Sequence, residues 1–428
     1  MMGLPRISKL FGAVNVGSFR ISAMIMGQSE TGEMIVLGSG HRASQGIKRG
    51  YVTDMAAATY AIRDAVERAE KNAGTNIESV WVGCSGAGLG SRVAKVEIDI
   101  GGRRVEEDDI EHLLVAARDS IQFDARRVLH AQPAHYTLDG VHGVANPRGL
   151  HAERLGVDIH VMLADGAPIR NLIEAVQNAH LEVHSVVAAP VAAGYACLSP
   201  EERELGTALI EIGGDVTNVA LYAGGMLIGL TAIPFGSCDI TDTIASAFGI
   251  RRFQAQRLKC RYGSAIASPA DYKDMIPVNG PGEDDGTAPP VPGADDRNTI
   301  PRAELVSVIT GQLGQLTAQI NQALKEMGFA GAKGGQVVVT GGGAELAGIA
   351  EYMQSALGRP VRVGKPPALR GLGEANATPG FSTLAGLCLY ASEDPVDIRS
   401  VGSSYQISSS YSGLAVVQRV IRAVKEYF

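Results

Sequence analysis

The chain has 428 residues, 45% of them hydrophobic and 19% charged, with a formal net charge of −7, which is ordinary for a globular protein and long enough for two or more cores. The acidic balance argues against nucleic acid as a partner, because phosphate-backbone recognition draws on a basic surface. Cys84, Cys197, Cys238, Cys260 and Cys388 form no C-x-x-C pair, and His130, His135, His142 and His151, the densest run of four histidines, lack ligand spacing; reduced thiols are expected rather than a disulfide frame or a zinc site.

The segment MMGLPRISKLFGAVNVG lacks the apolar core of a signal peptide, and no uncharged apolar run approaches the ~20 residues that span a bilayer. A soluble or peripheral protein is expected. Residues 11–40 read as a strand meander whose first bend, in FGAVNVGSFRISAMI, carries Gly17, Ser18 and Arg20. A helix follows over 52–73, with Ala58, Ile62, Ala65, Val66 and Ala69 at helical spacing, Asp54 as N-cap and Gly74 as C-cap. Residues 80–82 form a buried strand. The stretch 84–163 reads as a separate α/β interaction block, opening with CSGAGLGS. It holds a helix over 106–121, short strands around Val128 and Tyr136, a strand over 157–163, and no catalytic constellation.

An amphipathic helix over 167–179 and a strand over 182–187 precede AAPVAAGYACL (188–198), small and apolar as close helix contact requires. The acidic SPEEREL (199–205) marks a surface crossing. Next comes LIEIGGDVTNVALYAGG (209–225), two apolar runs joined by a Gly-Gly bend, which predicts a β-hairpin. Glycines at such a bend let backbone N–H groups approach an anion, forming a phosphate nest. A strand over 227–234 and helices over 239–248 and 253–260 follow.

The stretch 275–301, with six prolines, five acids and almost no bulky apolar residue, predicts a mobile loop, because it cannot offset its ordering entropy. A long helix over 302–327 leads to a strand over 337–339, the turn Gly341-Gly342-Gly343, a helix over 345–357 and FSTLAGLCLYA (381–391). Residues 392–412 read as a flexible linker. On a helix, GLAVVQRVIRAVKEYF (413–428) puts Leu414, Val416, Val417, Val420, Ile421, Val424, Tyr427 and Phe428 on one half. The other half carries Arg419, Arg422 and Lys425, as expected of a helix that lies on an anionic membrane. Two phosphate-type hairpins and one glycine turn predict a two-lobed α/β fold closing on a nucleotide.

These residues together resemble the actin/Hsp70/sugar-kinase superfamily and, within it, the FtsA family of bacterial cell-division proteins. The closer resemblance rests on SQGIKRGYVTD (44–54), SVWVGCSG (79–86), RVLHAQPAHYTLDG (127–140), ANPRGL (145–150) and SPEERELG (199–206). It continues through IPFGSCDITDTIASAFG (233–249), QRLKCRYGSA (256–265) and the terminal amphipathic helix. The resemblance implies a two-lobed actin-like ATPase fold of duplicated ribonuclease H-like lobes. Lobe one would comprise 1–83, 164–200 and 381–391, with an inserted FtsA-type subdomain at 84–163. Lobe two would comprise 201–242 and 321–380, with an outer subdomain at 243–320, a linker at 392–412 and a membrane helix at 413–428.

It also implies a peripheral protein that binds ATP with Mg²⁺ and polymerises into an actin-like filament at the septum, on the inner face of the cytoplasmic membrane. Such a protein tethers the FtsZ ring, holding FtsZ's C-terminal tail with the 243–320 region, and recruits later divisome proteins. By the same resemblance, Gly17, Ser18 and Arg20 match the first phosphate motif, Gly213, Gly214 and Thr217 the second, and Gly341, Gly342 and Gly343 the adenosine motif. Lys259 matches a basic residue beside the nucleoside, Gln256 stands at a ribose-binding position, and Glu211 takes the place of the usual metal-side Asp.

The departures are Asn15 at the acidic position of the first hairpin, Asp215 at a glycine position and Asn218 where Asp is common. Asn15 removes a partner for Mg²⁺-bound water. Asp215 adds repulsion toward phosphates, on the order of 4 kcal/mol for a unit pair at about 4 Å and an effective dielectric of ~20. ATP binding is expected to survive, with hydrolysis very slow or absent. A small-molecule kinase or polyphosphatase of the superfamily, or a pilus-assembly actin homologue, stands as the alternative; the basic terminal helix argues for the division protein.

Overall fold

The computed structural model describes residues 6–86, 88–121, 126–144, 146–278, 299–329, 335–395 and 397–400. The chain begins with three long strands, β1 (Ile7–Val16), β2 (Arg20–Ser29) and β3 (Met34–Ala43). The short β4 (Ile47–Lys48) and β5 (Tyr51–Val52), helix α1 (Met55–Ala73) and β6 (Ser79–Cys84) follow. The expected caps are in place: the Asp54 carboxylate accepts the Ala57 N–H at 3.0 Å, and Gly74, at φ +68°, donates to the Glu70 carbonyl at 2.8 Å.

The inserted block contains β7 (Gly90–Asp99), α2 (Glu107–Ser120), β8 (Arg126–Leu138), β9 (Val141–Val144) and β10 (Arg154–Asp165). The chain returns through α3 (Gly166–Asn178), β11 (Glu182–Ala188) and α4 (Ala189–Cys197). The second half opens with α5 (Pro200–Leu205), β12 (Thr207–Ile212), β13 (Thr217–Ala223) and β14 (Met226–Ile233). Helices α6 (Ser237–Phe248) and α7 (Arg252–Tyr262), strands β15 (Met275–Pro277) and β16 (Thr299–Pro301) and the long α8 (Arg302–Glu326) come next. The chain then runs through β17 (Gln336–Thr340), α9 (Ile349–Leu357), β18 (Val361–Val363) and α10 (Ser382–Glu393).

Pairing reveals the duplication. The first sheet has the order β11-β6-β1-β2-β3: an antiparallel meander extended from its first strand by two parallel strands. The second lobe repeats this as β18-β17-β12-β13-β14, with the same directions. Its sheet continues through a Thr231–Gly90 bridge into β7, β10, β8 and β9 of the inserted block, giving nine strands. Central strands read as apolar runs because both faces are covered. Residues 21–27 of β2 are all buried, with α1 and α10 both packed against that strand. Helices α4 and α10 lie in such close contact that a Cβ at Gly386 would fall 1.8 Å from the Ala192 carbonyl oxygen. One apolar core runs through the first lobe onto one face of the second lobe's sheet, another fills the other face of that sheet, and a third lies in the inserted block.

Several boundaries differ from the expectation. The short strands around Val128 and Tyr136 are one strand, β8, bulged near Pro133 in its pairing with β10. The strand expected over 157–163 is β10, which runs from Arg154 to Asp165. The helix after the glycine turn starts at Ile349, because residues Gly342–Glu345 form a 3₁₀ turn first. The 275–301 stretch is not a loop throughout: its ends pair as β15 and β16, while 279–298 lie outside the described residues.

The start of the linker expected at 392–412 is structured, and the rest lies outside the described residues. Helix α10 continues to Glu393, and Ile398 is fully buried in the core of the inserted block. Burying an isoleucine contributes about 1.5–3 kcal/mol. Asp397 accepts the Ala131 N–H at 3.3 Å and Arg399 donates to the Val128 carbonyl at 3.0 Å, so this short segment is strapped to β8. Residues 401–428, with the whole amphipathic stretch, lie outside the described residues. No helix among the described residues is long and apolar enough to cross a membrane.

Candidate functional site

The β1–β2 bend and the β12–β13 bend face each other across one cleft of about 680 Å³, counting space open to solvent. Gly17, Ser18 and Arg20 line it from one lobe, Glu211, Gly213, Gly214 and Asp215 from the other. Gly341 and Gly342 close a third side. The two bends nearly touch: a Cβ at Gly214 would lie 3.1 Å from the Phe19 backbone nitrogen. Helix α6 fixes the second bend from behind, its Ser237 and Cys238 N–H groups donating to the Gly213 and Gly214 carbonyls at 2.9 and 2.7 Å. The parallel strands of both lobes end at this cleft, where open α/β sheets place their ligands.

Arg20 supplies a cation. Its guanidinium lies 4.1 Å from the centre of the Phe381 ring and donates to the Gly380 carbonyl at 3.3 Å. Burial lowers its pKa and the Glu345 carboxylate opposes that shift; a guanidinium nonetheless stays charged.

The floor is a polar network spanning both lobes. Glu211 is buried, with one oxygen accepting the Thr383 hydroxyl and the other the Asn218 amide N–H at 2.9 Å. Asn218 also donates to the Ser85 hydroxyl at 2.9 Å. Desolvation raises the Glu211 pKa, and the two hydrogen bonds counteract it. The Asn218 carbonyl oxygen is buried without a partner, an acceptor left over beside the carboxylate. No group of three or more His, Cys, Asp or Glu side chains could hold a metal ion among the described residues. A Mg²⁺ ion needs fewer, since it keeps several waters and takes one or two carboxylates plus substrate phosphates. The donor set at Glu211 and Asn218 is compatible with that mode.

Four expected residues stand apart from the lining. Thr217 is fully buried and its hydroxyl donates to the Phe235 carbonyl at 2.8 Å. Gly343 is packed behind the turn, where a Cβ would meet the Ile212 side chain at 2.2 Å. Lys259 is buried and spends its three donors on the Ser237 carbonyl at 2.6 Å, the Ser237 hydroxyl at 2.8 Å and the Thr241 hydroxyl at 2.7 Å. Burial lowers its pKa to about 8. Gln256 accepts the Thr241 hydroxyl at 2.7 Å. Lys259 and Gln256 therefore brace α7 on α6 and do not line the cleft.

Asp215 does line it, and its carboxylate accepts the Arg49 N–H of the opposite lobe at 3.1 Å. Sequence reasoning missed Ser85, Thr383 and Arg49. Ser85 had a signal, standing just past the parallel strand β6. Thr383, one hydroxyl in an apolar helix, had almost none.

The family model described as "Cell division protein FtsA" matches residues 208–386, and "SHS2 domain inserted in FTSA" matches 86–163. A relative named Cell division protein FtsA from Agrobacterium fabrum is 33% identical, covering 100% of this chain and 98% of its own. One of the same name from Pseudomonas aeruginosa is 29% identical, covering 100% of both. Among solved structures, a PilM-PilN type IV pilus biogenesis complex superposes with a TM-score of 0.62 at 17% identity, covering 91% of this chain and 99% of that one. MreB5 of Spiroplasma citri bound to ADP gives a TM-score of 0.52 at 13% identity, covering 90% and 98%. At such identities the shared property is the actin-like fold.

Proposed function

The chain belongs to the FtsA family of cell division proteins, and on that premise we propose an actin-like, ATP-binding protein that polymerises on the inner face of the cytoplasmic membrane at the septum. There it tethers the FtsZ ring, gripping FtsZ's C-terminal tail with the 243–320 region, and recruits later divisome proteins. The observation that carries the nucleotide reading is the pair of glycine bends, one from each copy of the duplicated lobe, facing each other across a cleft that Arg20 enters.

In this reading the Gly17, Ser18, Gly213 and Gly214 backbones cradle the phosphates, Arg20 offsets their charge, and Gly341 and Gly342 leave room for adenosine. Glu211, with the Asn218 carbonyl beside it, would hold Mg²⁺, which would offset phosphate charge. Asn15, an amide at the acidic position of the first bend, leaves Mg²⁺-bound water without a carboxylate partner there, so ATP turnover is very slow or absent. Beyond the described residues, the 413–428 stretch lays its apolar half on lipid, with Arg419, Arg422 and Lys425 toward anionic headgroups.

Calorimetry of full-length protein with MgATP tests the cleft. Arg20→Ala should weaken binding about tenfold, the loss of one charge-assisted contact. Equal affinity would mean that Arg20 does not reach the phosphates.

A further inference from the structure

The 46–51 segment touches four places that matter. The Arg49 N–H donates to the Asp215 carboxylate at the second bend, 3.1 Å away, and the Gly50 N–H donates to the Ser18 hydroxyl of the first bend at 3.3 Å. The Arg49 guanidinium, less than half exposed, lies 3.5 Å from Asp239 in the first turn of α6. The next residue, Tyr51, donates its hydroxyl to the Asp165 carboxylate at 3.2 Å. Asp165 ends β10, the point where the chain leaves the inserted block.

The entry strand meets the exit at the same point. A Cβ at Gly88 would fall 2.2 Å from an Asp165 oxygen, and Arg126 donates to the Gly88 carbonyl and, at 3.4 Å, to the Leu163 carbonyl. The loop thus spans from both phosphate bends to the hinge of the inserted block.

Its backbone is built for that position. Gly50, at φ +81°, sits where a Cβ would lie 2.1 Å from the Ser85 carbonyl oxygen. Arg49 has φ +50°, a left-handed conformation that a side-chain-bearing residue adopts at a cost. Strain of this kind persists only where the surroundings hold it, and it collects at ligand clamps and switch regions.

We propose that the 46–51 loop reads the terminal phosphate of a bound nucleotide and relays its presence to the hinge of the inserted block; this rests on the nucleotide reading of the cleft. A phosphate between Ser18 and Asp215 competes with Asp215 and Asp239 for the Arg49 N–H and guanidinium, a stronger pairing for a doubly charged oxyanion. Pinning the loop on the phosphate orders Tyr51, and Tyr51 keeps its bond to Asp165 for longer. The ligand then stiffens the hinge through ordering, without a large displacement.

Hydrogen exchange of the full-length protein with no nucleotide, MgADP or MgATP tests this, alongside calorimetry of the same samples. MgATP should slow exchange about threefold both at 46–51 and at 88–90 with 163–166, and MgADP should do so less. Tyr51→Phe, which removes one hydroxyl outside the cleft, should bind MgATP unchanged, keep the slowing at 46–51 and lose it at the hinge. Hinge slowing that survives in Tyr51→Phe, is absent in the wild type, or is equal with MgADP would overturn the relay while leaving nucleotide binding intact. No calorimetric binding of MgATP would overturn both readings.

Discussion

Thr383, on the last described helix of the first lobe, gives its hydroxyl to the carboxylate of Glu211 on the central strand of the second. The contact crosses between the lobes at the base of the cleft, with both residues buried. Removing it with Thr383→Val leaves a buried carboxylate one partner short. A destabilisation on the order of 1–3 kcal/mol is expected in urea unfolding. A loss below about 0.3 kcal/mol would mean that the hydrogen bond contributes little net.

Glu211 also sets a pH dependence. Its folded pKa is raised, chiefly by desolvation, so the native state holds more protons than the unfolded chain between the two pKa values. Stability is therefore greatest below the unfolded carboxylate range and falls as the pH rises through the folded pKa. Glu211→Gln removes that decline. Unfolding free energies measured from pH ~4 upward should show the variant gaining on the wild type as pH increases. Parallel profiles would refute the assignment.

Lys259 carries the opposite sign. Burial lowers its pKa from 10.5 to about 8, so between those values the unfolded chain binds more protons and stability rises with pH. Relative to Lys259→Met, wild-type stability should climb between pH 8 and 10.5, by an amount on the order of 3 kcal/mol. ATP affinity should change little in the same variant, because the ammonium braces α7 on α6. A large loss of affinity with unchanged pH slope would return Lys259 to the nucleoside.

Asp215→Asn keeps the side-chain shape at the cleft but removes its charge. If the carboxylate repels phosphate, MgATP binding should tighten about tenfold by calorimetry. Weaker binding would instead give Asp215 a part in holding Mg²⁺.

Removal of 413–428 should release the protein from vesicles containing anionic lipid, while the full chain sediments with them. Raising the salt should weaken the full chain's attachment, since Arg419, Arg422 and Lys425 act electrostatically. Unchanged sedimentation of the truncated chain would refute the anchor.

How legible these features were follows from how local their causes are. The glycine bends, the Asp54 and Gly74 caps and the small-residue helices α4 and α10 are set by neighbours in sequence, and each stands where its residues place it. The inward or outward turn of a side chain is set by distant packing. Thr217 and Lys259 belong to recognisable motifs, yet their polar atoms are taken up by Phe235 and Thr241. Two short strands expected around Val128 and Tyr136 are one strand, β8, whose register on β10 shifts at a bulge between Pro133 and Tyr136 that only the partner strand reveals. Ile398 gave no signal, a single apolar residue between Asp397 and Arg399 whose partner strand lies over 200 residues earlier.

That single isoleucine ties the insertion to its host a second time. Because Ile398 is planted in the core of the inserted block, with Arg399 bonded to β8, the chain that leaves the first lobe after α10 is fastened to that block downstream of the block's own entry and exit.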